Sequence, residues 1–240
     1  MKTDKKITLL STFAEDTLLN ERRVVIKKQQ GGPAFYLTKI FKKENIALNL
    51  ITGPKIKVEI LMTKTDEFGK VPKKPKTKNI KFSQIKTPFL LISTILNDFD
   101  LTNISEFKGI IFLDIQGYVR NGKNFGQKKI WNPSEKIIKN IFCIKGTKEE
   151  LRYLPSQIIR IQKQKLLIAT NGKNGCEIFI FGKKYLIKPQ KVIKTKNTIG
   201  AGDTFFANFM TQLIKTLDIV DSARYGVEKT SDFLLSKTKL

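Results

Sequence analysis

The residues best suited to chemistry lie in one glycine-rich segment, Thr198-Ile199-Gly200-Ala201-Gly202-Asp203-Thr204. Small residues let backbone N–H groups approach an anion closely, and a helix starting here adds a dipole that favours negative charge. The segment predicts three successive N–H groups, those of Gly200, Ala201 and Gly202, turned toward an anion. The carboxylate of Asp203 beside them is placed to take a proton from an attacking hydroxyl. The alternative is that Asp203 only caps the helix.

The longer string resembles a family signature. Residues 197–205 read N-T-I-G-A-G-D-T-F and agree at eight of nine positions with D-T-x-G-A-G-D-[TS]-F, the pattern of PfkB-type, ribokinase-like kinases. The resemblance implies that Asp203 is the catalytic base, that Gly200 to Gly202 form its anion hole, and that Asn197 and Thr198 belong to the nucleotide site. Asn197 replaces an Asp that helps arrange the cation environment near the phosphates in that family, which leaves a monovalent-cation requirement open.

Two upstream segments are similar to further motifs of that family. Thr170-Asn171-Gly172-Lys173-Asn174-Gly175 matches T-x-G-x-x-G, so Thr170, Gly172 and Gly175 are expected to contact nucleotide phosphates; a plain turn between strands is the alternative. Thr147 and Glu150 take the positions of an N-x-x-E motif, which implies that Glu150 holds Mg²⁺ through water. The alternative for Glu150 is an acid that stabilises a helix start. ATP and Mg²⁺ are the implied cofactors.

The N-terminal half is expected to bind the acceptor. Gly31-Gly32 resembles the family's di-glycine motif, whose backbone approaches the substrate, although Tyr36 stands where an Asn is common. Asp16 lies where the family keeps an Asp that holds substrate hydroxyls, and a carboxylate that accepts two hydroxyl protons suits a diol. The other interpretation of Asp16 is an ordinary acid in a loop.

A third acceptor segment follows a predicted buried strand. Asp114, Gln116 and Arg120 come after Gly109–Asp114, and the carboxyl edge of an α/β sheet is where ligands bind. The stretch resembles D-x-Q-G-[YF]-[VL]-R of inositol-kinase-like and archaeal members. These side chains either line the acceptor pocket or fix the loop by local hydrogen bonds.

Composition excludes several other kinds of chemistry. The chain has no histidine, which removes histidine bases, Ser-His-Asp triads and the common zinc sites. Cys143 and Cys176 lie in apolar surroundings and are expected to be buried thiols. The net charge of +24 would suit a nucleic-acid partner. However, only six of the 45 basic residues are arginine and the lysines are spread along the chain, which disfavours a dedicated nucleic-acid site. No apolar run has the roughly 20 residues of a membrane span, so a cytoplasmic protein is expected.

Alternating strands and helices must position these residues. Apolar runs predict strands, and amphipathic stretches predict helices at Ala34–Lys43, Trp131–Asn140, Gly202–Leu217 and Val220–Leu235. The strands are expected at Ile7–Leu10, Ala47–Ile51, Phe89–Ser93, Gly109–Asp114, Ile141–Ile144, Leu166–Thr170, and in a hairpin of Cys176–Phe181 with Lys184–Ile187. This order predicts an α/β sandwich. The resemblance implies a single ribokinase-like three-layer α/β/α domain over residues 1–240, with a small β flap from segments 22–29 and 55–82 and a homodimer through the flap.

The sequence therefore predicts an ATP-dependent kinase that phosphorylates a hydroxyl of a sugar or related polyol. A nucleoside or myo-inositol kinase of the same fold is one alternative. A degenerate nucleotide-binding member without activity is a second, because Asn197, Tyr36 and Thr147 depart from the motifs. A nucleic-acid-binding protein is the third.

Overall fold

The computed structural model describes residues 6–64, 67–73, 75–195 and 197–238. The basic start of the chain, three positions of the predicted flap segment (65, 66 and 74) and Lys196 before the glycine-rich segment lie outside the described residues.

The elements follow in chain order along these residues. The strands are β1 (Lys6–Ser11), β2 (Ala14–Leu19), β3 (Val25–Gly31), β4 (Ala47–Thr52), β5 (Ile56–Met62), β6 (Glu67–Lys70), β7 (Phe89–Ser93), β8 (Ile110–Asp114), β9 (Arg120–Asn121), β10 (Asn124–Lys128), β11 (Ile141–Thr147), β12 (Leu166–Thr170), β13 (Cys176–Ile180) and β14 (Lys183–Ile187). The helices are α1 (Pro33–Lys43), α2 (Gln116–Val119), α3 (Glu135–Asn140), α4 (Lys148–Leu151), α5 (Ser156–Lys163), α6 (Ala201–Thr216) and α7 (Ile219–Lys237).

The main sheet has the strand order β14-β13-β12-β11-β8-β7-β1-β4. The strands from β4 to β12 pair in parallel, and β13 and β14 continue the sheet as the antiparallel hairpin that the turn at Gly182 predicts. Because the parallel strands run the same way, their carboxyl ends meet at one edge, where Ser93, Asp114 and Thr147 lie. This edge is the expected ligand side of such a sheet.

Helices cover both faces of the sheet. On one face, α1, α6 and α7 bury a core that includes Phe41, Phe206 and Phe209. On the other, α3 to α5 and the loops before them bury a second core around Phe82, Phe99 and Ile144. The central strands β1, β7, β8, β11 and β12 are almost continuously buried, which explains why they appear as apolar runs in the sequence. The predicted three-layer α/β/α sandwich is confirmed.

A second, four-stranded sheet in the order β3-β2-β5-β6 forms a lid beside the carboxyl edge. The prediction placed the flap in 22–29 and 55–82 and missed β2. Its sequence, Ala-Glu-Asp-Thr-Leu-Leu, looked like an acidic loop, whereas it pairs with both β3 and β5 and alternates buried with half-buried residues. The chain leaves the lid after β6, and Phe82 lies in the core of the main body. Strand β3 is the outer edge of the lid.

Two helices also differ from the prediction. The helix expected over Trp131–Asn140 is only α3, because Pro133 lacks an N–H group and disfavours the helical conformation of the residue before it. Helix α5 was not predicted. Both cysteines are buried free thiols, as expected. Within the described ranges, no helix is both long enough and apolar enough to span a membrane.

Candidate active site

The glycine-rich segment forms a tight turn that leads into α6. Gly200 adopts the left-handed conformation at φ 83°, which favours glycine, and is the N-cap of the helix. Ala201 N donates to the Thr198 carbonyl at 2.9 Å, so its N–H is used inside the turn. Among the described residues, no acceptor pairs with the N–H groups of Gly200, Gly202 or Asp203. The turn therefore has three open amides, which we call the anion hole after the role expected from the sequence; Asp203 supplies the third of them and Ala201 does not.

Asp203 is buried at the start of α6, with 8% of its surface exposed. Its Oδ1 has no hydrogen-bond partner in the described part of the chain. Burial raises the pKa of Asp203 to about 6, against the opposing effect of Lys145 and with a further rise from Asp114. A carboxylate with this pKa is mostly ionised at pH 7 and still basic enough to accept a proton.

Behind Asp203 lies a buried ion pair that the sequence did not reveal. Lys145 Nζ, on β11, donates to Asp114 Oδ2 at 2.7 Å, and the two side chains are 2% and 0% exposed. Burial alone lowers the pKa of Lys145, but Asp114, Glu150 and Asp203 outweigh it and raise that pKa. A Cβ at Gly202 would lie 3.2 Å from Lys145 Nζ, so the ammonium sits directly beneath the anion hole. Asp114 is held by Lys145 and accepts from Gln116 N at 3.1 Å, which is the local hydrogen bonding expected from the sequence as one alternative.

One cavity, of about 340 Å³, opens between the lid and the turn. We call it the acceptor cavity. Asp16, on lid strand β2, is 3% exposed and lines this cavity, which is compatible with the role in acceptor binding expected from the sequence. Burial raises the pKa of Asp16 to about 6, although Arg120 and Lys237 lower it. Gly32 also lines the cavity, whereas Gly31 does not: a Cβ there would lie 1.9 Å from Asp16 Oδ2, so Gly31 makes room for the carboxylate.

Gln116 and Arg120 also line the acceptor cavity. The Arg120 guanidinium lies over the Phe125 ring at 4.2 Å, and its Nη1 donates to the Ile95 carbonyl at 3.4 Å. Its buried Nε has no partner within the described residues. The guanidinium is therefore fixed by packing and retains donor capacity for a ligand.

Tyr36, which replaces the family's common Asn, fills space beside the turn. A Cβ at Gly200 would lie 2.4 Å from its Cζ, so the ring rests directly on the glycine. Burial, together with Asp16, Asp203 and Glu67, raises the pKa of the Tyr36 hydroxyl. The hydroxyl therefore stays protonated and can donate a hydrogen bond.

A second and larger cavity, of about 790 Å³, lies on the other side of the turn. We call it the donor cavity. Thr170, Gly172 and Gly175 line it, together with Thr198, Ala201 and Gly202. Its lining includes four lysines, Lys145, Lys173, Lys191 and Lys194, and the apolar residues Pro189, Val192, Ile193, Phe205, Val227 and Leu234. The two cavities share Gln116, Thr198 and Gly202, so they meet at the anion hole.

Glu150 lines the donor cavity and also caps a helix. Thr147 Oγ1 accepts from Glu150 N at 3.0 Å, and Glu150 Oε2 accepts from Thr147 N at 2.8 Å, which is a complete capping box. The structural role is thus present, and it leaves Oε1 available. Over the described residues no group of three or more His, Cys, Asp or Glu could hold a metal ion. These residues fit Mg²⁺ held through water, because Mg²⁺ keeps several water ligands and needs few carboxylates.

The back of the turn is held by two residues that sequence reasoning missed. Glu67, on lid strand β6, accepts from Thr198 N at 2.9 Å. Lys237, in the last turn of α7, donates to Asn197 Oδ1 at 2.8 Å and to the Ile199 carbonyl at 2.5 Å. Asn197 is therefore bound to Lys237 and is not among the residues that line the donor cavity, although its neighbour Thr198 is. Lysine is abundant in this chain, so nothing in the sequence distinguishes Lys237.

Part of this chain is similar in sequence to known kinases. Residues 129–231 match the model of the pfkB family of carbohydrate kinases. An inositol 3-kinase of Zea mays is 29% identical over 94 residues, which are 39% of this chain and 24% of that protein. The match thus spans about a quarter of the length of that relative.

Solved structures match over nearly the whole chain. A nucleoside kinase of Methanocaldococcus jannaschii, an archaeal member of the ribokinase family, has a TM-score of 0.73 at 18% identity, with 93% of this chain and 89% of that chain covered. A pyrophosphate-dependent kinase of the ribokinase family, complexed with a pyrophosphate analogue and myo-inositol, has a TM-score of 0.70 at 17% identity, with 94% and 93% covered. The chain therefore has the ribokinase-like fold, and its residues 129–231 are similar to the pfkB family of carbohydrate kinases.

Proposed function

We propose that this protein is a kinase that transfers a phosphoryl group from ATP to a hydroxyl of a sugar or related polyol. The observation that carries the proposal is the meeting of two cavities at one anion hole, with Asp203 on the acceptor side only. Phosphoryl transfer needs this arrangement, because the attacking oxygen, the phosphorus atom and the leaving oxygen must be roughly in line.

The acceptor cavity favours a polyol. Its polar groups include two carboxylates that accept hydrogen bonds, Asp16 and Asp203, and donors on Gln116, Arg120 and Tyr36. The opposite wall is apolar and comes from lid residues such as Val58 and Ile60. Small-molecule sites commonly combine an apolar wall with a few placed polar groups. A ring with several hydroxyls fits this pattern, and a sugar, myo-inositol and the ribose of a nucleoside all carry one.

The donor cavity favours a nucleotide over pyrophosphate alone. Lys145 and the open amides lie at the shared turn, and three further lysines line the cavity, so a phosphate chain would be neutralised there. Pyrophosphate would make no favourable contact with the apolar side chains of this cavity, such as Val192, Val227 and Leu234, whereas a nucleotide base could pack against them. The Mg²⁺ that such a reaction uses would neutralise phosphate charge, with Glu150 ordering its water shell.

In the proposed reaction, Asp203 accepts the proton of the acceptor hydroxyl as its oxygen bonds to the γ-phosphorus. The bond from that phosphorus to the bridging oxygen breaks, and ADP leaves with the electron pair. The N–H groups of Gly200, Gly202 and Asp203 hold charge on the transferred group, and Lys145 adds a positive charge beneath them. Positioning and electrostatic stabilisation supply most of the rate enhancement in this chemistry.

The test is donor consumption with Mg²⁺ over a panel of sugars, inositols and nucleosides, with ATP and with pyrophosphate in parallel. We expect acceptor-dependent consumption of ATP. Asp203→Asn should lower turnover by about 10²–10⁴-fold, the usual contribution of a general base. The matched control is Asp232→Asn, an exposed Asp on α7, which should leave turnover unchanged.

Other results would change the assignment. Turnover with pyrophosphate and none with ATP would reassign the donor and leave the kinase standing. ATP binding without turnover on any acceptor would favour the degenerate alternative. The nucleic-acid alternative rests on the net charge of +24 and predicts tight binding with a steep salt dependence.

A further inference from the structure

The ammonium of Lys237 is bound by two oxygen atoms behind the anion hole. It contacts one side-chain amide oxygen, Asn197 Oδ1 at 2.8 Å, and one backbone carbonyl, that of Ile199 at 2.5 Å. Both oxygens belong to the turn that leads into α6. Neutral carbonyl oxygens that converge on one point are the ligands that replace the hydration shell of a monovalent cation such as K⁺. The lysine thus occupies a position suited to such an ion.

The contact with Ile199 affects the anion hole through one peptide group. The carbonyl of Ile199 and the N–H of Gly200 belong to the same planar trans peptide and point in opposite directions. By holding the carbonyl on the α7 side, Lys237 keeps the Gly200 N–H aimed away from α7. That N–H is one of the three open amides of the anion hole.

The other contacts of the turn make this orientation specific. Glu67 accepts the N–H of Thr198 at 2.9 Å on the lid side, and Asn197 Oδ1 also accepts from Ile199 N at 3.3 Å. The turn is thus held by an anion at one N–H and by a cation at one carbonyl. Removal of the cation would leave the carbonyl of Ile199 without its partner and free the peptide to rotate.

The lysine itself is firmly placed. Its ammonium lies 4.7 Å from the centre of the Phe233 ring, and that ring packs edge-on against Tyr36 with centroids 6.0 Å apart. The side chain is half-buried, and burial lowers the pKa of Lys237 to about 8, while Glu67 and Asp16 oppose the change. The ammonium is therefore mostly protonated at pH 7, where the test should be done.

We propose that Lys237 is a positioning residue that acts as a built-in monovalent cation, so that phosphoryl transfer by this protein needs no added K⁺. This inference rests on the proposed function. It also gives Asn197 a role: a neutral amide oxygen binds the ammonium without placing a full negative charge beside the phosphate site.

The test compares Lys237→Ala, which opens the cation position, with Lys237→Met, which fills it with an uncharged side chain. Assays use the Tris salt of ATP at pH 7, with choline chloride replaced by KCl at constant ionic strength. The wild type should be indifferent to K⁺. Lys237→Ala should lose about 10–100-fold in kcat, below the loss from deleting an anion-hole donor outright, and K⁺ or NH₄⁺ should restore much of it. Lys237→Met should show the same loss without rescue.

The matched control is Lys229→Ala, an exposed lysine on the same helix, which should change neither kcat nor the response to K⁺. Activation of the wild type by K⁺, or a loss in Lys237→Ala that no monovalent cation restores, would overturn the inference. A second measurement does not depend on turnover: the Tm of Lys237→Ala should rise when KCl replaces choline chloride, and that of the wild type should not. If the wild type consumes neither ATP nor pyrophosphate, the proposed function fails, and equal Tm responses of the two proteins would overturn the role of Lys237 separately.

Discussion

The two cavities that meet at the turn differ in the sign of their charge. The donor cavity has Lys145, Lys173, Lys191 and Lys194 against the single carboxylate Glu150. The acceptor cavity has Asp16, Glu67 and Asp203 against Arg120 and Lys128. Positive charge thus lies where phosphates would bind, and carboxylates lie where hydroxyls would bind. In the proposed reaction, proton transfer therefore takes place on one side of the turn and neutralisation of phosphate charge on the other.

The strongest way to break this division is to remove the proton acceptor. Asp203→Asn should nearly abolish turnover and yet stabilise the fold. The folded-state pKa of Asp203 is raised to about 6 from 3.8. The ionised form is therefore penalised in the folded protein above pH 6, and the penalty is relieved as the pH falls from about 6 to about 4. At pH 7 Asn should raise Tm by a few degrees, since about 1 kcal/mol is worth about 2–4 °C at this size.

Calorimetric or fluorescence melting between pH 4 and pH 8 checks this expectation. The wild type should lose stability as the pH rises through this window, and Asp203→Asn should lose less. A lower Tm for Asp203→Asn at pH 7 would contradict this expectation, because it would show that the ionised carboxylate stabilises the folded state.

The second test removes the buried cation of the donor side. Lys145→Met should cost about 3–5 kcal/mol, because Asp114 would be left as an uncompensated buried charge. The double variant Lys145→Met/Asp114→Asn should recover much of the Tm but not the affinity for ATP. Denaturant unfolding gives the first quantity and calorimetric titration with ATP gives the second. Full ATP affinity in the double variant would mean that Lys145 serves the fold alone.

The third test concerns the acceptor side. Asp16→Asn should raise KM for the acceptor by about 10–100-fold, which corresponds to the loss of a hydrogen bond to a charged group, with a smaller change in kcat. In both wild type and variant, kcat should rise with pH through about 6, because Asp203 must be ionised to accept a proton. If Asp16→Asn abolishes the acid limb, the titrating group is Asp16 and the roles of the two carboxylates must be exchanged.

The smallest expected effect comes from the contact between lid and turn. Glu67→Gln keeps the shape but removes the charge that accepts the N–H of Thr198 at 2.9 Å. We expect at most about 1 kcal/mol in stability, the scale of one hydrogen bond, and a change in kcat below tenfold. Hydrogen exchange should show faster exchange at Thr198 and unchanged protection in α6. Faster exchange throughout α6 would mean that the lid supports the whole helix.

The parts of the site that follow one another in the chain could be predicted from the sequence. The turn and α6 were predicted because glycines and apolar residues at helical spacing lie within a few positions of Asp203. The sheet was predicted because its buried strands are unbroken apolar runs.

The parts brought together over long distances could not be predicted. Glu67 is 131 residues from Thr198, and Lys237 is 40 residues from Asn197. Lys145 lies in a strand of a chain with 45 basic residues, where one more lysine carries no signal. The amide of Ala201 is bound inside the turn, which depends on backbone angles that the residue types alone do not determine. Strand β2 was missed because it carries two adjacent acidic residues, which usually indicate a loop, whereas here Asp16 faces a cavity and Glu15 is partly exposed on the other face.

The outer strand of the lid has a consequence for the protein in concentrated solution. Strand β3 leaves one row of backbone N–H and C=O groups unpaired within the described lid, and Val25 and Ile26 are 52% and 58% exposed. Such an edge is a template for another strand and hence a starting point for aggregation. Lys27 and Lys28 follow directly and are exposed. Their charges should repel those of an approaching copy, and lysines on an edge strand are one way in which proteins avoid edge-to-edge aggregation.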